Sequence, residues 1–276
     1  MGLVQATQAA QPDLGEPLTD SPPDVSDPNA ASGSRLISRI LSPAIRLWLR
    51  VQLEAAATLS FQVGGSDRQI LKGYIPTVEV VACQAVYRGL HLSQAQLTAN
   101  QIRINLGQVV QGKPLRLLEP VPVTGRVCIS QTDLTASLAA PLLLQALREV
   151  WQLLLQRTSD ARLVPLRSGD AQLHSAQIVL AAERLVLTSE MAAADQIWHL
   201  SLQTTPQLRS PNCLELADLE LQVIPADRLD QPDSLTAAPP WVLAPLHLDL
   251  GRDVHLEELV IEAAQIVCRG QIVVNP

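Results

Sequence analysis

Five histidines, four cysteines and a scatter of carboxylates are the residues of this chain that could do chemistry. Their spacing fits no reactive or metal-binding pattern. His91, His247 and His255 alternate with apolar neighbours, as solvated positions on half-buried strands do. A metal pair His247/His255 is the competing reading, and two ordinary strand histidines explain the pattern better. Cys83, Cys128, Cys213 and Cys268 show no CxxC and no zinc-ligand spacing. They read as small buried apolar residues of a reducing compartment. Asp249 and Asp253 flank Gly251-Arg252 and look like turn chemistry, and Asp67-Arg68 reads as a surface pair. There is no G-x-S-x-G, G-x-G-x-x-G, Walker A or H-E-x-x-H. Gln111-Gly-Lys-Pro lacks the first glycine and the Ser/Thr of a phosphate loop. The expectation is therefore no catalytic residue, no metal and no cofactor.

The elements that would position any site are built from an unusual composition. Hydrophobic residues make up 47% of the 276, yet only 3% are aromatic; 47 leucines stand against one Phe, two Tyr and four Trp. The net charge is −7, which argues against nucleic acid as a partner, since that needs a positive footprint and often stacking aromatics. The same scarcity of aromatics argues against aromatic sugar platforms. Residues 1–34 hold five carboxylates, five prolines and no Lys or Arg. That segment cannot bury enough apolar surface to offset its ordering entropy, so it reads as a disordered acidic tail. Residues 35–276 read as a single α+β domain. No secretory leader is legible at the start, and no run reaches about 18 apolar residues. The expected location is cytoplasmic, peripheral to the cytoplasmic face of a membrane.

From Arg35 onward the apolar residues recur at helical spacing through Leu36, Ile37, Ile40, Leu41, Ile45, Trp48 and Val51. At 100° per residue, Arg35, Arg39, Arg46 and Arg50 fall within about 60° of one another. The apolar residues, Trp48 among them, occupy the opposite arc. Ser42-Pro43 is a helix-start pair, which predicts a short helix, a kink, and a longer helix to about Leu59. Residues 35–60 are thus expected to be an amphipathic helical region. After Gly64-Gly65 the period becomes two, and residues 76–130 read as antiparallel strands, one face apolar and the other polar. Residues 141–157 break the pattern: Pro141 opens a helix with Leu147, Val150, Trp151 and Leu154, apolar on most sides. Strands return at 173–187, 196–204, 213–224, 246–250 and 254–274, with a proline-rich insertion or flap at 225–245. A weak likeness between the segments starting at Leu90 and Val254 also fits a meander.

Several segments together resemble a known family: Ser42-Pro-Ala-Ile-Arg-Leu-Trp-Leu-Arg, Asp67-Arg-Gln-Ile-Leu-Lys-Gly-Tyr-Ile-Pro, Ala85-Val-Tyr-Arg-Gly-Leu, Ile104-Asn-Leu-Gly-Gln-Val-Val-Gln-Gly-Lys-Pro-Leu, Asp133-Leu-Thr-Ala-Ser-Leu and the closing stretch 254–274. The chain is similar there to cyanobacterial-type members of the LmeA-like phospholipid-binding family, over roughly residues 40–276. The resemblance implies a non-enzymatic lipid-binding domain. It also implies an α+β fold in which a strongly curved antiparallel sheet and two long helices enclose an elongated apolar groove, comparable to half of a tubular lipid-binding protein.

The residues support a lipid ligand on their own terms. An aliphatic lining with few aromatics suits acyl chains, and each buried CH₂ contributes about 0.8 kcal/mol. The expected groove sets Leu147, Val150, Trp151 and Leu154 against Leu97, Ile102 and Ile104. The expected membrane contact is the arginine stripe with Trp48, docking on an anionic membrane surface. The competing account is that the leucines fill an ordinary close-packed core. Two other functions stay open: an interaction module or assembly factor docking on a membrane-protein complex, and an enzyme acting on a lipid head group.

Overall fold

The structure, a computed structural model, describes residues 41–167, 171–228 and 239–276. Chain order is α1 (Ser42–Gln52), β1 (Ala55–Gly64), α2 (Asp67–Leu71), β2 (Tyr74–Tyr87), β3 (Leu90–Arg103), α3 (Leu106–Val110) and β4 (Val121–Ser130). Then follow α4 (Gln131–Ser137), α5 (Pro141–Gln156), α6 (Val164–Arg167), β5 (Gln172–Ala181), β6 (Arg184–Ala193), β7 (Gln196–Ser210) and β8 (Cys213–Pro225). The last strands are β9 (Trp241–Leu243), β10 (Leu246–Asp249), β11 (Val254–Ile261) and β12 (Gln265–Val274).

These strands make two antiparallel sheets, neither closed into a barrel. The first has the order β1-β2-β3-β4-β12-β11, and the second β10-β8-β7-β6-β5 with β9 also on β8. The expected change to a two-residue period is borne out, and so is antiparallel pairing. The final hairpin returns to the first sheet through β4–β12 pairing, which brings β3 and β11 into the same sheet. The run read as 173–187 divides into β5 and β6 at a turn where Glu183 takes a positive φ.

Three expectations need correcting. The helix expected to reach Leu59 stops at Gln52, where Leu53 turns extended. Ala55, Ala56 and Ala57 favour helix intrinsically, but Leu59, Phe61 and Val63 follow at alternate positions and pair with β2. Pairing overrides propensity here. The proline-rich insertion is also shorter than expected, because Trp241–Leu243 is a strand against Leu219–Leu221. Third, 254–274, expected as one strand run, is the hairpin β11–β12. The acidic segment 1–34, with Arg35 and Arg39 after it, lies outside the described residues.

Two hydrophobic clusters carry the packing. The larger one buries Leu147, Trp151, Leu154 and Leu155 of α5 against Leu187, Leu200, Leu202, Leu219 and Leu221 of the second sheet. The i, i+4, i+7, i+8 spacing of those α5 residues puts them on one stripe. The Trp151 indole N–H donates to Ser189 Oγ at 3.0 Å, so its polar edge is satisfied. The smaller cluster holds Leu41 and Ile45 of α1 against Ile70, Ile75, Ile102, Ile104, Leu106, Val109 and Leu115.

Candidate functional site

Over three rows the strand registers of the first sheet set only apolar side chains or glycine on one face. One row across all six strands is Leu59, Ala82, Ala95, Val127, Cys268 and Leu259. The row beside it is Phe61, Val80, Leu97, Gly125, Gly270 and Leu256, and the next is Val63, Val78, Ala99, Val123, Ile272 and Val254. Every residue of these rows is apolar or glycine. The opposite face reads Gln62, Glu79, Thr98, Thr124, Gln271, His255 and then Ser60, Val81, Gln96, Arg126, Arg269, Glu258.

Burial of the apolar face is uneven. At one end Phe61, Val63, Val80, Ala99 and Val123 pack under α1 and its cluster. At the other, Ile129, Ile261 and Ile266 join the cluster of α5. Between them Leu59, Leu97, Val127, Leu256, Leu259 and Cys268 belong to neither cluster and are only half-buried. Ile272 is 44% exposed. The strip between the two clusters is thus apolar, continuous across the sheet and incompletely buried.

The glycine pair Gly125–Gly270 crosses the middle of this sheet. A Cβ on Gly125 would lie 2.4 Å from the Gln96 carbonyl oxygen and 2.6 Å from a Leu97 methyl; on Gly270 it would lie 2.4 Å from the His255 oxygen. Adjacent backbones approach here more closely than any side chain allows. On the polar side the same pair floors an open hollow of about 590 Å³, lined by Glu79, Gln96, Thr98, Thr124, Arg126 and Arg269. Arg269 is 3.4 Å from Glu257 and 3.7 Å from Glu258. On the apolar side Cys268 has its thiol pushed up to about 11 by burial, with Cys128 adding to the shift. It is a packing group rather than a nucleophile at neutral pH.

The groove expected from the sequence is not assembled. Leu147, Trp151 and Leu154 are buried against the second sheet, with Val150 packed beside them. Ile102 and Ile104 are buried in the other cluster. Leu97 alone of the seven lies on the half-open face. Periodicity tells which side of an element is buried but not what buries it, so the partner was the missing quantity. Val127, Leu256 and Leu259 were missed; the alternation of β4 and β11 carried their signal, but the register that unites them with Leu97 did not show in the sequence.

Of the membrane-contact residues, Arg46 and Arg50 are exposed on α1, and the Arg46 guanidinium stands 6.0 Å from the Phe61 ring centroid. Trp48 instead packs toward the cluster under α1. The apolar side chains shown to solvent beside the arginines are Leu47, 65% exposed, and Val51, 75% exposed. His247 and His255 fall on different sheets, and His247 Nε2 lies 2.8 Å from Glu215. Among the described residues, no group of three or more His, Cys, Asp or Glu could hold a metal ion, and no single helix is long and apolar enough to cross a membrane.

Two open antiparallel sheets, one packed under a helix and the other with an incompletely buried apolar face, define a β-rich α+β class of protein. The chain belongs to the LmeA-like phospholipid-binding family, whose model matches residues 33–271. No curated protein and no solved structure matches it.

Proposed function

We propose that this protein is a non-enzymatic, peripheral phospholipid-binding protein that lays acyl chains along the half-open apolar face of the first sheet. The observation that carries the reading is the row Leu59–Ala82–Ala95–Val127–Cys268–Leu259, apolar over six strands and outside both core clusters, with Leu59, Val127, Cys268 and Leu259 half-buried and the two small alanines buried between them. Membership of a phospholipid-binding family supports it. Aliphatic contact needs no polar constellation, because affinity accumulates with buried CH₂ groups at about 0.8 kcal/mol each. Association with an anionic membrane surface is assigned to the outer side of α1, where Arg46 and Arg50 stand beside exposed Leu47 and Val51.

The test is native mass spectrometry of the full chain, followed by organic extraction of any bound molecule. Val127→Gln with Leu259→Gln places two amides on the face at half-buried positions. Bound phospholipid is expected to fall at least about fivefold with the circular dichroism unchanged, two amides replacing several methyl groups of contact. Unchanged occupancy would place the lipid elsewhere. A stable protein partner, with no lipid in the extract, would favour the assembly-factor function instead.

A further inference from the structure

α2 leads into β2, α3 follows β3, and residues 111–120 lead into β4, so all three segments lie at one end of the first sheet. Backbone bonds tie them together. Ile104 N donates to the Gly73 oxygen at 2.9 Å, Asn105 N to the Arg116 oxygen at 3.2 Å, and Leu118 N to the Arg103 oxygen at 2.9 Å. Ile70, Leu106, Val109 and Leu115 seal them from below as part of one cluster. Three large apolar side chains nevertheless remain outside: Leu71 at 47% exposure, Val110 at 53% and Leu118 at 58%.

Around these three the charge of the protein is reversed. Residues 66–74 and 103–119 carry Arg68, Lys72, Arg103, Lys113 and Arg116 against only Asp67 and Glu119, a local +3 in a chain of −7. Lys72 and Lys113 are the only two lysines in the sequence. Arg103 is held by Glu119 at 3.5 Å. Among the described residues, Arg68, Lys72, Lys113 and Arg116 are exposed and in no ion pair.

We propose that this tip seats the protein on an anionic bilayer, with Leu71, Val110 and Leu118 entering the interface and the four cations meeting head-group phosphates. Charge complementarity selects the occupant. Three separate exposed apolar side chains, each within three residues of an exposed cation in the sequence, match a fluid surface with an apolar interior and an anionic rim. The site is distinct from α1, and it rests on the lipid-binding reading only in that both place the protein at a lipid surface.

The test is flotation of the full chain with vesicles of phosphatidylcholine alone or mixed with phosphatidylglycerol. The parent is expected to float with the mixed vesicles only. Arg68→Glu, Lys72→Glu, Lys113→Glu and Arg116→Glu combined should weaken that binding at least about tenfold. A second variant, Leu71→Ser with Val110→Ser and Leu118→Ser, should release from the vesicles at lower salt than the parent. If both variants keep the parent's circular dichroism and float as it does, the tip is not the docking surface. A parent that ignores all vesicles overturns the proposal as well, and tip-dependent capture of a protein would then name the occupant. Fluorescent phospholipid delivered from detergent micelles separates the two readings. Tip variants should keep the parent's occupancy. Tip-dependent flotation with no lipid uptake would retire the acyl-binding function alone, and uptake with tip-independent flotation would retire the tip alone.

Discussion

Asp133 is a carboxylate held inside the protein by serines. Ser93 Oγ and Ser130 Oγ both donate to its Oδ2, the latter at 2.7 Å, and its own backbone N–H donates to Ser130 Oγ at 3.1 Å. Ser137 Oγ donates to its carbonyl oxygen at 2.7 Å while accepting from His91 N–H at 2.8 Å. Burial alone would raise this carboxyl, but the hydrogen bonds from Ser93 and Ser130, with His91 nearby, outweigh it and hold it below the ordinary 3.8. A lowered folded value means that the ionised form contributes stability above the unfolded value. That contribution is lost as pH falls through the folded one. The parent's Tm is therefore expected to start falling once pH drops below about 5, a unit above the unfolded value, and to go on falling through the folded one. Asp133→Asn should start lower at neutral pH and change less over that interval; parallel pH curves for the two proteins would count against the assignment. Nothing local in the sequence pairs Ser93 with Asp133, forty residues downstream.

At the scale of elements, the pairing of Gly125 with Gly270 sets how closely β3, β4, β12 and β11 come together. Gly125→Val would drive a side chain into the Gln96 carbonyl and the Leu97 methyl. It is expected to cost about 1–3 kcal/mol in urea unfolding, as overpacking does, and a loss within experimental error would mean that the strands can separate freely there. Alternation made these strands readable: Val123, Val127 and Ile272 against Thr124, Arg126 and Gln271 is a period-two pattern that names both faces. α1 was readable up to Gln52 for the same kind of reason. Its continuation through Ala55–Ala57 was misread, because three alanines carry no face information and only the partner strand decides their conformation.

For the whole molecule, the sequence identified the right apolar stripes and joined them wrongly. Leu154 and Ile102 both belong to buried faces, but the α5 stripe closes on the second sheet and Ile102 on the helices of the first. Which stripe meets which depends on the β4–β12 pairing, made between segments far apart in the chain. The assignment has a measurable consequence. Leu154, fully buried, is expected to lose about 2–5 kcal/mol of stability on change to Ala, by the lost transfer term and the cavity left behind. The folded fraction should bind as much phospholipid as the parent. A fall in occupancy without a fall in stability would bring α5 back into the ligand site.

The side chain of Gln131 has a role at that scale too. Its amide nitrogen donates to the Ile178 oxygen at 2.5 Å, and its amide oxygen accepts from Leu180 N–H at 2.8 Å. β5 is the outermost strand of its sheet, and one glutamine gives its backbone what a neighbouring peptide unit would give. The edge of the first sheet is met in a similar way at β11, where Leu256 N–H donates to the Pro211 oxygen at 2.6 Å and Glu183 N–H to the Ile261 oxygen at 3.0 Å. Unpaired outer strands are templates on which a second chain can add and continue into fibres. A protein this rich in aliphatic strands is exposed to that hazard, and these polar plugs blunt the β5 and β11 edges against such addition.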